Sequence, residues 1–405
     1  MNLYDEYEKT DVRYYDEEIG DFEADFERTR DRIKKYYETG NKEELNDGFD
    51  DLNKKRLNHS MSLAYLGILI NKELPMLNME IRVNNVLFDF IYVWKIICFY
   101  HDLGYNFESN NNYIFISNSK NQKNEVNGYS CSKAYAIRNS QICFDTKFTF
   151  QYNRYFSNSF HQMFITYKNT SKKNQLSNYD YERINNDFSI MVRYDNGKKA
   201  TLKNSNFYKS TIEKYYVYRK NEMGVFDHGI LGGYMLFDRL VKKYINKMAN
   251  VTNKTDFSAN KRQYLIEQIP LFAYMADCIV SHNIFFPNFG DEDLYKEYGL
   301  DELVKYTKPV KFNSNPVLFL LYLVDSIDPI KYFEQNGKLD YIDILKSIDI
   351  VFLNSNTFKL SREFFSRIDI TTFNNYIKRI EGLKTWLGID VFADYGKNSV
   401  KITIL

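Results

Sequence analysis

Apolar positions along this chain fall into helix-like stripes that flank a long, irregular middle. From Leu52 onward, Leu57, Met61, Ala64, Tyr65, Ile68 and Leu69 recur at three- and four-residue spacing. That spacing predicts an amphipathic helix with His59 in its first turns. A second run, Val86, Leu87, Phe88, Phe90, Ile91, Val93, Trp94, Ile96, Ile97 and Cys98, predicts a helix over about 84–103. It closes on Tyr100-His101-Asp102-Leu103-Gly104. Helical order is predicted again from Asp227-His228-Gly229 through 234–241, over about 264–284 ending in Ser281-His282-Asn283, and over 315–327. In the last of these, Asp325 is a single carboxylate on an almost wholly apolar segment. Burying an unpaired carboxylate costs several kcal/mol, so Asp325 is expected to meet a cation or strong donors.

Between these helices the pattern changes. Short alternations at Tyr113-Ile114-Phe115-Ile116, at 148–152 and at Ser189–Tyr194 predict strands, and Asp195-Asn196-Gly197 is a hairpin-type turn signal. The tail from about 336 predicts β-α-β: a strand-like 348–360, a helix through Tyr376, Ile380 and Trp386, and a closing strand at 400–404. These shifts divide the chain into a charged helical extension (1–51), two mainly helical stretches (52–104 and 225–335), an insertion between them (105–224) and a small α+β tail (336–405).

Charge modifies this picture locally rather than globally. The net charge of the 405 residues is +1, so the chain as a whole does not attract polyanions. Through residue 27, eleven acids stand against Lys9 and Arg13, as in a solvated helical extension or arm. Residues 105–221 carry eighteen Lys and Arg against eight Asp and Glu, with twenty-four Tyr or Phe interleaved. Such a surface can attract phosphate or nucleic acid, although a merely basic insertion has the same composition. The longest apolar blocks, 63–70 and 317–324, are too short to span a bilayer, and the first residues lack a signal-peptide pattern. Cys98, Cys131, Cys143 and Cys278 show no CxxC spacing. They read as reduced thiols of a cytoplasmic protein. Abundant Asn, Lys, Tyr and Phe with six Pro suggest an AT-rich bacterial genome.

The candidate chemistry lies in the histidines. Adjacent residues on a helix point about 100° apart, so His101 and Asp102 at the end of an apolar helix need something polar to meet. Taken alone, the pair could cap a helix end beside water; a divalent metal is the alternative, since imidazole and carboxylate are both good ligands. Four of the five histidines (His59, His101, His228 and His282) lie in or at the ends of apolar helical segments, whereas His161 falls in the insertion and reads as a non-ligand.

The ordered set Asn58-His59-Ser60, Tyr100-His101-Asp102-Leu103-Gly104, His228-Gly229 with Gly232-Gly233, Ser281-His282-Asn283 and Leu323-Val324-Asp325 resembles the HD superfamily of metal-dependent phosphohydrolases. The resemblance covers roughly residues 52–104 and 225–335. It implies a mainly α fold, an HD-domain helical bundle core, here with a long β-containing insertion and a small C-terminal α+β subdomain. It further implies two divalent transition-metal ions (Mn, Fe, Ni, Co or Zn). His59, His101, Asp102 and Asp325 would hold the first, and Asp102 would bridge to a second held by His228 and His282. His101 and Asp102 would be catalytic, and the expected reaction is hydrolysis of a phosphoester of a nucleotide or nucleic acid by metal-activated water. The chain departs from the pattern in three places. Tyr105 stands where some binuclear relatives carry lysine, His282-Asn283 replaces the double histidine of the cyclic-dinucleotide branch, which also has a GYP element missing here, and the interval from Asp102 to His228 is unusually long. Di-iron oxygenases such as myo-inositol oxygenase look similar in fold and ligand set, and a non-catalytic metal- or nucleotide-binding sensor module is a third reading.

Overall fold

A computed structural model describes residues 1–9, 26, 27, 50–83, 86–105, 189–194, 198–203, 227–230, 268–283, 292–300, 310–334 and 339–404, with strand fragments between 125 and 151 and single positions at 218, 219, 222, 232, 233, 236 and 240. Tyr113-Ile114-Phe115-Ile116 and His161 lie outside the described residues.

The chain opens with α1 (Leu3–Lys9), α2 (Asp50–Glu73), the hairpin β1 (Glu80–Val83) and β2 (Val86–Phe88), and α3 (Phe90–His101). The helix expected over 84–103 therefore begins six residues later. Asp89 caps it, accepting from the Ile91 N–H at 3.0 Å, and the three apolar residues before the cap pair with β1 instead. The middle contributes β3 (Glu125–Val126), β4 (Tyr129–Ser130), β5 (Ala136–Arg138), β6 (Gln141–Phe144), β7 (Phe148–Gln151), β8 (Ser189–Tyr194) and β9 (Lys198–Lys203). Strands β8 and β9 pair on either side of Asp195-Asn196-Gly197 and extend the first hairpin into one antiparallel sheet, β2-β1-β8-β9. A segment from the middle of the chain is thus stitched to residues that precede α3.

The helical core continues with α4 (Ile269–Ser281), α5 (Glu292–Glu297), α6 (Pro316–Ile327) and α7 (Pro329–Phe333). Helix α6 begins at an Asn315 cap with Pro316 in its first turn, and all its residues except Ser326 are buried. It packs against both α2 and α4, while α3 packs against the same two helices. The core around the histidines is therefore mainly α. The contact of α2 with α3 depends on Gly67: a Cβ there would sit 2.2 Å from the Trp94 ring, whose indole N–H donates to the Ala64 carbonyl at 3.2 Å. Gly67→Ala is expected to destabilise the fold by about 1–3 kcal/mol through overpacking, measured as a lower urea midpoint at unchanged m-value.

The tail comprises α8 (Tyr341–Lys346), β10 (Ile348–Asn354), β11 (Thr357–Arg362), α9 (Ile370–Glu381), α10 (Leu383–Leu387), β12 (Asp390–Asp394) and β13 (Ser399–Thr403). It is α+β, as expected, but richer in strands than β-α-β. The strand-like 348–360 folds back at 355–356 into a hairpin, and β12 completes an antiparallel sheet of order β10-β11-β13-β12. The tail joins the helical core through α9, where the buried Tyr376 hydroxyl donates to the Ile327 carbonyl.

The N-terminus differs from a solvated arm over its first turns. Leu3 and Tyr7 of α1 are buried, the Ile350 N–H donates to the Met1 carbonyl at 3.0 Å, and the Tyr7 hydroxyl lies 3.1 Å from the Ser62 hydroxyl. Two apolar side chains four residues apart suffice to dock this short, otherwise charged helix. Among the described residues, no helix is long and apolar enough to cross a membrane. Cys98 and Cys278 are buried free thiols, and burial raises both well above the ordinary thiol range.

Candidate metal centre

The predicted ligands arrive from five places in the helical core, with only His101 and Asp102 adjacent. His101 is the last residue of α3, and Asp102 is its C-cap, with φ −97° and ψ 0°. The helix therefore ends between the two residues, and their side chains converge instead of diverging by 100°. His282 caps the C-terminus of α4 in the same way. Both histidines use one local device: the His101 Nδ1–H donates to the Cys98 carbonyl at 2.6 Å, and the His282 Nδ1–H to the Ile279 carbonyl at 2.5 Å. Carbonyls in the last turn lack intrahelical partners, so each ring satisfies one of them and turns its Nε2 inward. His228 sits in the first turn of the helix that Asp227 caps, accepting from the Ile230 N–H at 3.1 Å.

Close backbone approach brings that turn into place. A Cβ at Gly104 would lie 2.0 Å from the His228 carbonyl oxygen, and one at Gly229 would lie 3.0 Å from the His282 ring. The glycines around His228 thus admit the close approach of neighbouring helix ends.

The donor atoms form two groups that share Asp102: His59, His101 and Asp102, and then Asp102, His228 and His282, each group within 4.8 Å. In the first, His59 Nε2 lies 3.2 Å from His101 Nε2, 3.0 Å from Asp325 Oδ1 and 3.8 Å from Asp102 Oδ2. In the second, Asp102 Oδ1 lies 3.7 Å from His228 Nε2, and the His101 and His228 rings both stand edge-on to His282. All six predicted ligands are brought together and buried. Asp325 additionally receives Lys331 Nζ at 2.6 Å and 2.7 Å on its two oxygens, which supplies the cation its apolar helix required.

The hydrogen bonds determine what the centre can accept. His59 Nδ1 bonds Asp328 Oδ2 at 2.7 Å, and His101 Nδ1 bonds a carbonyl, so in the neutral rings both Nε2 atoms carry lone pairs. Two nitrogen lone pairs and two carboxylates converge there, and only a proton or a metal cation reconciles them. In the second group, His282 Nε2 and Asp102 Oδ1 are buried and have no hydrogen-bond partner. Imidazole and carboxylate donors of this kind fit a divalent transition metal at either group.

Charge follows the same logic. Burial, and then the neighbouring His101 and His228 imidazoles, lower His282 to about 3; burial lowers His228 to about 4. Both rings are therefore neutral and ready to ligate at pH 7. Burial also acts to lower His59, but its hydrogen bonds to Asp325 and Asp328 prevail and raise it from 6.5 to about 9. Burial opposes ionisation of Asp102, yet its electrostatic contacts with the His101 and His59 imidazoles and with Lys331 hold it well below the usual carboxylate range. A metal must displace the His59 proton, so binding at pH 7 is expected to release protons and to strengthen from pH 6.5 to 9. Calorimetry in buffers of different ionisation enthalpy measures this release. Because His59 is raised on folding, its contribution to metal-free stability is complete below 6.5 and is lost as pH rises through about 9.

Residues not singled out by the sequence support the site. Asp328 orients His59, accepts from the Ser62 hydroxyl at 2.5 Å and caps α7 through the Lys331 N–H at 3.0 Å. Its Asp-Pro pair is a helix-start signal that could have revealed the cap, though not the bond to His59. Asp227 accepts from the Asn283 amide at 2.5 Å. Arg56 lies one helical turn before His59, with Nη1 3.6 Å from Asp102 Oδ2. Its guanidinium lies 3.3 Å over the Tyr105 ring, which in turn stacks on His228 at 3.5 Å. No protein-family model matches this chain, and neither does any curated protein or solved structure.

Proposed function

We propose that the chain is a metal-dependent phosphohydrolase of the HD superfamily that cleaves a phosphoester of a nucleotide or nucleic acid. The observation that carries this reading is the pair of buried donor groups sharing Asp102, with Asp102 Oδ1 and His282 Nε2 lacking any hydrogen bond. His59, His101, Asp102 and Asp325 would hold one divalent transition metal, and Asp102, His228 and His282 a second. Such a pair of ions, when bound, generates a hydroxide nucleophile at neutral pH and neutralises charge on a phosphoryl group.

The chain's own residues prepare the site. Helix-end carbonyls fix the His101 and His282 rings, and Asp328 fixes His59, so these three rings are already oriented. Burial excludes water and strengthens each electrostatic contact. Lys331 neutralises Asp325 from the adjoining helix.

The test is metal content on protein purified without chelators, alongside a panel of nucleotides and phosphodiesters with added manganese. About two transition metals per chain with phosphate release supports the phosphohydrolase. Two irons with oxygen uptake and no phosphate release would replace it with the oxygenase. Metal and bound nucleotide without turnover would leave a sensor module.

A further inference from the structure

The six donor residues are at most 6% exposed, whereas two cations at the same centre reach solvent: the Arg56 side chain is 26% exposed and that of Lys331 15%. They come from different elements, α2 and α7, and each stands beside a donor carboxylate, Arg56 by Asp102 and Lys331 by Asp325. Neither commits all its hydrogen-bond donors where it sits. Arg56 Nη1 is 3.6 Å from Asp102 Oδ2, beyond hydrogen-bond reach, and the guanidinium rests on the Tyr105 ring. A guanidinium has five donors in a planar fork, so most of them remain. Lys331 commits two of its three donors to Asp325. On the other side, Tyr105 is sandwiched between Arg56 and His228 and covers the second donor group.

We propose that Arg56 and Lys331 form the anion-recognising edge of this centre, and that its substrate is a phosphomonoester presenting a terminal phosphate. This rests on the phosphohydrolase reading above and chooses within it between nucleotide and nucleic-acid strand. A monoester carries close to two negative charges at pH 7, which two cations match; an internal diester carries one. A monoester also has a single substituent, which can leave a buried centre through one opening. A diester within a strand has a substituent on each side and needs an open groove.

The test uses the full-length, metal-loaded chain. Rates on nucleoside monophosphates and p-nitrophenyl phosphate are compared with those on bis-p-nitrophenyl phosphate and a single-stranded oligonucleotide. Binding of inorganic phosphate is followed by calorimetry. Monoesters are expected to be preferred at least about a hundredfold. Arg56→Gln and Lys331→Gln are each expected to weaken phosphate binding about ten- to hundredfold at unchanged metal content. Lys331→Gln strips the buried Asp325 of its cation, so Lys331→Arg serves as the charge-preserving companion and should retain phosphate binding; Arg56→Gln carries the test if Lys331→Gln does not fold. Diester turnover equal to or above monoester turnover, or phosphate binding unchanged in Arg56→Gln, overturns the inference and leaves the phosphohydrolase standing. No turnover of either ester sinks both.

Discussion

Asp102→Ala is expected to purify folded, with neither metal group filled and with phosphoester hydrolysis at background. Asp102 is the one side chain common to both donor groups, and its Oδ1 lies 3.3 Å from His101 Nε2 and 3.7 Å from His228 Nε2. Losing a carboxylate that neutralises a centre of four imidazoles removes several kcal/mol of transition-state stabilisation, about a thousandfold or more in rate. Without metal the variant should be less stable, because the ionised Asp102 is held by the groups around it, an effect partly offset by the loss of a buried oxygen that makes no hydrogen bond. Two measurements separate these effects. Metal analysis should fall from about two ions per chain to none. The metal-dependent rise in melting temperature, worth about 2.7 kcal/mol at a hundredfold excess over Kd, should vanish when read against the variant's own metal-free melting point. Retention of two ions by the variant would show that Asp102 is not the shared ligand.

The second large effect is expected at Asp328, which touches no proposed metal position. Asp328→Ala removes the partner of His59 Nδ1, the acceptor of the Ser62 hydroxyl and the cap of α7 together. Losing a buried, charge-assisted network and an N-cap is expected to cost about 3–5 kcal/mol of stability, read from urea unfolding. Metal affinity should fall about 10–100-fold because His59 is no longer held in orientation. Asp328→Asn distinguishes the two roles. Asparagine can still cap α7, so most of the stability should return. It carries no charge, so His59 should lose part of its upward shift and release its proton at lower pH. Unchanged metal affinity in both variants would reduce Asp328 to a helix cap.

The six candidate residues were legible in the sequence because a polar residue in an apolar helical stripe demands a partner; that they would act together as metal ligands came only from the resemblance. Helices α2, α4 and α6 were legible for the same reason, since period and length agree over each. The start of α3 was not. Val86, Leu87 and Phe88 continue its apolar run, and only pairing with β1 together with the Asp89 cap assigns them to a strand. Nor was the docking of α1, where eleven nearby acids outweigh two buried side chains in any compositional reading.

What the sequence determined by itself is local: which stripes bury, which histidines lie on them, and that Asp325 needs a cation or strong donors. Tertiary structure decided which groups answer those needs. Lys331 reaches Asp325 across a helix break, Asp328 meets His59 across 269 residues, and Arg56 is pressed on Tyr105 by packing between elements. Such contacts have no period in the chain, because they arise where helix ends from distant segments converge and each buried donor or charge must be satisfied by whatever the packing brings near.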